Sequence, residues 1–520
     1  MITSNSPFTK LPPELFPVVA AHLPLYATPT TLYSLALTNH GLHEIISPLL
    51  YSCMVLRNQR DALTLLQRML VDRQLGHLVR ELHIMSEGPA VMLGDRDVLT
   101  GLRKVVQGGL LPYIHTLGLY LLQNDWQLPK ILTEADIAFW KELRGNCPRL
   151  RGIVIFGLEY WRIGGWDTLF QVIQPNESRP ALSHLAFDIK GPLDNDNGGG
   201  NLLKGINHFS PSLQTLVLRS TEGFASASHI LTLEFPCLKS LTLDGFRVRL
   251  TSEAMTFWRK HASLERVRLS NGVQSSRWFY EHIEPGLLPN LMDFRADFSN
   301  VLPLAHILGQ LTSLSIEKSI NAQVPYLLRV VIPEGLPRLK SLEIVQVSAS
   351  FSHFSLFVGA TWYETADASG IFHEGSDLEQ AGRDFTGDYI YSITKGAPNL
   401  EELALHGSQP LNWTIRNNQF VEPFSGFTRL ERLYYGGPNV LFSTDLQDTH
   451  RDASLALATA CKSIRTVTDV SLSTVPYLTA QIRRNPGGEV DEVMIGKGYG
   501  TQIGSEGDPF PRTLQRSSQL

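Results

Sequence analysis

A short signature recurs along most of this chain: proline or a small residue, any residue, Leu, two of any kind, Leu, one of any kind, Leu. It reads Pro148-x-Leu150-x-x-Ile153-x-Ile155, Pro180-x-Leu182-x-x-Leu185-x-Phe187, Pro211-x-Leu213-x-x-Leu216-x-Leu218 and Pro236-x-Leu238-x-x-Leu241-x-Leu243. An earlier copy carries Ile114, Leu117 and Leu119, and later ones place Leu264, Val267, Leu269; Leu311, Leu314, Ile316; Leu339, Leu342, Ile344; and Leu400, Leu403, Leu405. The last two apolar positions alternate, as on a short strand with one face inward, and a turn brings the first into the same layer. Three core residues worth about 1.5–3 kcal/mol each cannot offset the ordering of roughly 25 residues at about 1–2 kcal/mol each. Neighbouring copies must therefore stack. Copies recur mostly at intervals of about 25–36 residues, room for a helix beside each strand. The expected fold is α/β, a leucine-rich-repeat solenoid over 56–483 with parallel strands on its concave side and helices on its convex side.

An array of this kind accommodates 520 residues, too many for one ordinary core. Apolar residues make up 43% and charged residues 18%, so most of the chain should fold. A net charge of -5, from 45 Lys+Arg against 50 Asp+Glu, gives no general attraction to nucleic acid or anionic membrane. Cys53, Cys147, Cys237 and Cys461 are too widely spaced for a disulfide framework, which points to reduced thiols in the cytoplasm or nucleus. Connecting segments 135–143 (Ile137, Trp140, Leu143) and 253–264 (Phe257, Trp258, His261) read as helices whose aromatics pack between layers. Residues 348–388 read as an insertion or degenerate repeat, 194–201 as a loop, 1–10 as flexible, and 484–520, rich in Gly, Ser and Pro, as a loosely ordered tail.

Ahead of the array, residues 11–55 form a short helical module. It contains Leu11-Pro-Pro-Glu-Leu15-Phe-Pro-Val-Val19 and then Thr31-Leu32-Tyr-Ser-Leu35-Ala-Leu-Thr-Asn39-His-Gly-Leu42. Leu15, Val19 and Leu23 share one face, and Leu32, Leu35, Asn39 and Leu42 follow as a second set. So short a module cannot cover all its apolar positions alone. The opening Leu11-Pro12-x-Glu14-Leu15 resembles the F-box, as do Leu32-x-x-Leu35 and Thr38-Asn39-His40, and the whole chain is similar to the F-box and leucine-rich-repeat family. The resemblance implies docking on a Skp-type adaptor, and through it on a cullin scaffold of a ubiquitin ligase, with the repeats selecting a target protein. It places Leu11, Pro12, Leu15, Val19, Leu32 and Leu35 at the adaptor interface.

No HExxH, GxSxG, P-loop or closely spaced His/Cys motif is present, so neither enzyme chemistry nor a cofactor or metal is expected. Asp194 to Asn197 lack the downstream Glu of a calcium loop, and Gly496-Lys-Gly498 reads as a turn. Strand positions that do not point inward form the expected recognition face: Arg219, Arg266, Arg268, Arg295, Glu343, Arg432 and Tyr434, with Asp244, Asp293, Asp297, Glu317, Glu402 and His406 among them. The alternative to a ligase subunit is a leucine-rich scaffold whose N-terminal helices cap the first repeat.

Overall fold

The computed structural model describes residues 12–22, 28–56, 59–85, 95–120, 137–156, 181–189, 199–220, 225–270, 276–281, 283–319, 323–346, 389–406, 421–436, 446–469 and 477–498. The insertion read at 348–388, Asp194 to Asn197 and residues 1–10 lie outside them. The chain divides into two compact units, one of residues 1–264, 271–276 and 509–520, the other of residues 265–270 and 277–508.

The first unit opens with three helices, α1 (Leu15–His22), α2 (Thr28–Ala36) and α3 (His40–Ser52). Phe16, Leu32, Ala36, Leu42 and Ile46 form its small core, with Leu35, Ile45, Leu49 and Leu50 packed on it. Asn39, read from the sequence as part of the second apolar set, is instead the N-cap of α3. Its side chain accepts the Leu42 N–H at 2.9 Å, satisfying one donor of the first turn. Pro17 lies in the first turn of α1, where its missing N–H leaves no intrahelical bond unmade.

From α3 the chain enters β1 (Cys53–Leu56) directly, followed by helices α4 (Gln59–Val71) and α5 (Arg73–Leu78), then β2 (Glu81–Met85). The unit continues with β3 (Thr116–Tyr120), β4 (Gly152–Phe156), β5 (His184–Ile189), β6 (Thr215–Ser220) and β8 (Ser240–Asp244). Each strand pairs in parallel with the next in register, so Leu117, Ile153, Leu185, Leu216 and Leu241 occupy equivalent places. The signature residues are fully buried, Leu213, Leu216, Leu218, Leu238, Leu241 and Leu243 among them. A minor pair, β7 (Ala225–Ser226) and β9 (Phe246–Arg247), stands apart. Helices α6 (Asp95–Gln107), α7 (Ile137–Asn146), α8 (Gly199–Phe209) and α9 (Thr251–Lys260) fill the connections. Gly199 to Asn201, expected in a loop, open α8. Trp140, Phe257 and Trp258 are buried and serve as packing.

The second unit holds β10 (Arg266–Ser270), β11 (Asp293–Asp297), β12 (Ser313–Ser319), β13 (Ser341–Gln346), β14 (Glu402–His406), β15 (Arg432–Gly436) and β16 (Thr466–Asp469), again consecutive and parallel. The connection between β11 and β12 is short. Between β11 and β12 the chain uses a 3₁₀ stretch, Leu302–Gln310, with Pro in its first turn, since so short a span leaves little room for a full helix. Helix α10 (Leu446–Ala460) precedes β16.

The tail expected from 484 onward is corrected in part. Strands β17 (Tyr477–Arg484) and β18 (Val490–Gly498) form an antiparallel hairpin that extends the sheet from β16. Asn485-Pro-Gly-Gly488 is its turn: Gly488 takes φ +84°, the Asn485 N–H donates to Glu489 O at 3.0 Å, and the Gly488 N–H donates to Asn485 O at 2.9 Å. The Gly and Pro content that suggested disorder is turn chemistry. Gly496-Lys-Gly498, expected as a turn, lies in β18. No helix among the described residues is long and apolar enough to cross a membrane.

Candidate functional site

Two surfaces carry the residues singled out from the sequence, one on the N-terminal module and one on the strand face opposite the leucines.

On the module, Pro12 and Glu14 sit in the turn that leads into α1, where the Leu15 N–H donates to Pro12 O at 3.0 Å. Of the residues that the F-box resemblance places at an adaptor interface, Leu15 and Val19 are each 43% exposed, and Pro12 is exposed. Leu32 is inside the module's core, Leu35 is half-buried against it, and Leu11 lies outside the described residues. Three apolar residues that sequence reasoning passed over are also exposed: Val18 on α1, Tyr33 (56%) on α2, and Leu37 (65%) just after α2. A module this small keeps one side of each helix for its core and leaves the rest facing solvent, a signal present in the alternation but not separable from core positions beforehand.

On the second unit's strand face, register arranges the side chains in rows. One row runs Arg266, Asp293, Ser313, Ser341, Glu402, Arg432 and Thr466; the next runs Arg268, Arg295, Ser315, Glu343, Ala404, Tyr434 and Thr468. Arg268 stands beside Arg295, a like-charge contact that carboxylates offset. Arg268 pairs with Asp293 at 3.3 Å, while Arg295 pairs with Glu317 and, at 3.8 Å, with Glu343. Ser270 donates to Glu317 and Ser315 to Glu343. Farther along, Ser341 donates to Glu402, which Arg432 also reaches at 3.4 Å, and Lys318 pairs with Asp297 at 3.5 Å.

These groups serve one another. Glu343 is 0% exposed, and Arg266 and Tyr434 are also buried, Tyr434 against Ala404. The expectation that this face offers its charges to a target is modified accordingly: most of these charges are committed to partners within the sheet, and removing one member strands another.

The first unit's equivalent face differs. Val154, Phe156, Ala186 and Val217 form an apolar cluster. At its border Arg219, whose side chain is 40% exposed, stacks on the Phe156 ring at 5.0 Å and pairs with Asp244 at 3.2 Å and Asp188 at 4.0 Å. Of the seven proposed recognition residues, Arg219 is the most accessible by this measure.

Among the described residues, one group combines donors of metal-ligand type, Cys53 on β1 with Glu81 and His83 on β2, all three donor atoms lying within 4.8 Å of one another. Burial first, and then the Glu81 carboxylate, push the Cys53 thiol well above its ordinary value. The four cysteines are free thiols.

No protein-family model matches the chain, and no curated protein matches it. Among solved structures it is similar to the leucine-rich repeat-containing protein LegL7 of Legionella pneumophila, at 12% identity and a TM-score of 0.31, covering 73% of this chain and 86% of that one.

Proposed function

We propose that the chain is a non-catalytic protein-recognition subunit, whose N-terminal helices dock on a Skp-type adaptor of a cullin-based ubiquitin ligase while the repeat array presents a target protein. The observation that carries this reading is the apolar surface left on the module by Leu15, Val18, Val19, Tyr33 and Leu37. Apolar residues exposed at neighbouring positions of one helix, as Leu15, Val18 and Val19 are on α1, fit a surface that a partner covers. That surface includes three of the six residues that the F-box resemblance assigns to the adaptor, Pro12, Leu15 and Val19, while Leu32 and Leu35 belong to the module's own core.

A second reading has its own observation. Helix α3 passes into β1 without a linker, and the Arg80 N–H donates to Ser52 O at 2.8 Å, so the helices also cap the first strand, as terminal units of repeat arrays do. A Leu15→Glu, Val19→Glu double variant of the full chain separates the two. Under the docking reading it keeps its stability to within about 0.5 kcal/mol, as exposed sites do, and loses co-elution with a purified Skp-type adaptor. If wild type and variant co-elute equally, or neither does, the docking reading is wrong. A marked fall in thermal stability supports capping.

A further inference from the structure

We infer that Cys53, Glu81 and His83 form a binding site for a borderline-soft divalent metal ion, zinc first among them. The residues come from two strands and meet only through register. Cys53 pairs with Glu81 across β1 and β2, and His83, two positions on, points to the same face as Glu81 because side chains alternate along a strand.

The separations fit. Cys53 Sγ lies 3.7 Å from Glu81 Oε2, and His83 Nε2 lies 3.7 Å from the same oxygen. Around a tetrahedral zinc ion, bonds of about 2.0–2.3 Å set neighbouring donors roughly 3.3–3.8 Å apart. The third side of the triangle, from Sγ to the imidazole, is within 4.8 Å.

The donor set selects the ion. Thiolate, imidazole and carboxylate together suit zinc or cobalt rather than magnesium or calcium, which prefer all-oxygen shells. Charge balances as well. On metal uptake a metal–sulfur bond forms, the thiol proton leaves to solvent, and the thiolate and carboxylate neutralise the dication. Glu81 and His83 are buried, and Cys53 is partly buried on β1, the first strand of the sheet order. With three protein ligands, the fourth position of such an ion is left to water. Bound there, it ties the strand that follows α3 to its neighbour, and this site stands independently of the adaptor reading.

The test is cobalt titration of the full chain after treatment with chelator and reductant. One equivalent is expected to give the ligand-field bands of tetrahedral cobalt and a thiolate-to-metal charge-transfer band. Cys53→Ala and His83→Ala should each weaken binding more than about 100-fold, since even outer-shell partners cost 10–100-fold. Cys237→Ser, which removes an exposed thiol, should change nothing. A weak octahedral spectrum in the wild type overturns the site, as do unchanged bands in Cys53→Ala. Should the alanine variants fold poorly, the near-isosteric Glu81→Gln decides, and cobalt affinity equal to wild type there also overturns it.

Discussion

His261 shows how closely single side chains are specified. It caps α9 with its backbone N–H, which donates to Phe257 O and Trp258 O. Its ring Nε2 accepts the Phe235 N–H at 2.9 Å, which leaves the proton on Nδ1 to donate to Phe257 O at 2.7 Å. The ring also stacks on Phe257 at 3.9 Å. Protonation would break the bond from Phe235, and burial, the largest cause, lowers the pKa below the ordinary 6.5. The nearby charges, Glu234 and Lys260, act in opposite senses and pair with each other. The unfolded chain therefore takes up a proton as pH falls below 6.5 while the folded chain resists, so stability is full above that value and declines beneath it. Urea midpoints at neutral and mildly acidic pH should show this decline. In His261→Ala it should be smaller, because only other histidines such as His115, whose pKa burial and neighbouring arginines also lower, still contribute. The same variant should lose about 2–4 kcal/mol at neutral pH, from the stranded Phe235 donor and the space left behind.

Individual elements were legible to different degrees. The strands could be read because each places two or three apolar residues inward at a fixed interval, and Leu216, Leu241 and Leu342 are buried as that spacing requires. The N-cap role of Asn39 was obscured by its place in an apolar period. The β17–β18 hairpin was obscured by its turn, although Asn-Pro-Gly-Gly between two runs of alternating residues is itself a hairpin signal. Pairing across strands could not be read at all. That Arg295 meets Glu317 and Glu343, or that Cys53 meets Glu81, depends on a register that exists only once the strands are stacked. The hairpin's attachment is equally non-local: Arg484 Nη2 donates to Ala458 O at 2.8 Å, in the last turn of α10 where carbonyls lack helical partners, and to Cys461 O at 3.2 Å and Ile464 O at 3.4 Å beyond the helix. Arg484→Ala should cost about 1–3 kcal/mol in the last repeat, seen as faster amide exchange over 477–498. Arg484→Lys should recover only part of it, since a single ammonium cannot reach Gly488 O and the Ala458 carbonyl together as Nη1 and Nη2 do.

At the scale of the whole molecule, what could be inferred early was the building principle, one strand per copy stacked in parallel, and what could not was where the stacking ends. A parallel series presents at its last strand an open row of N–H and C=O groups in the same direction as every strand before it, which invites another chain to add on. Here β17 and β18 reverse direction, and β18 carries Asp491, Glu492 and Lys497 along its length. Truncation after Asp469 should expose β16 and convert the protein into a concentration-dependent associating species, detectable by sedimentation velocity, while the full chain keeps one sedimentation coefficient over the same range. The reversal at 485–489 thus gives the array a terminus in the sense that a polymer has one. Copies can be gained or lost between existing strands while the antiparallel hairpin still closes the parallel series.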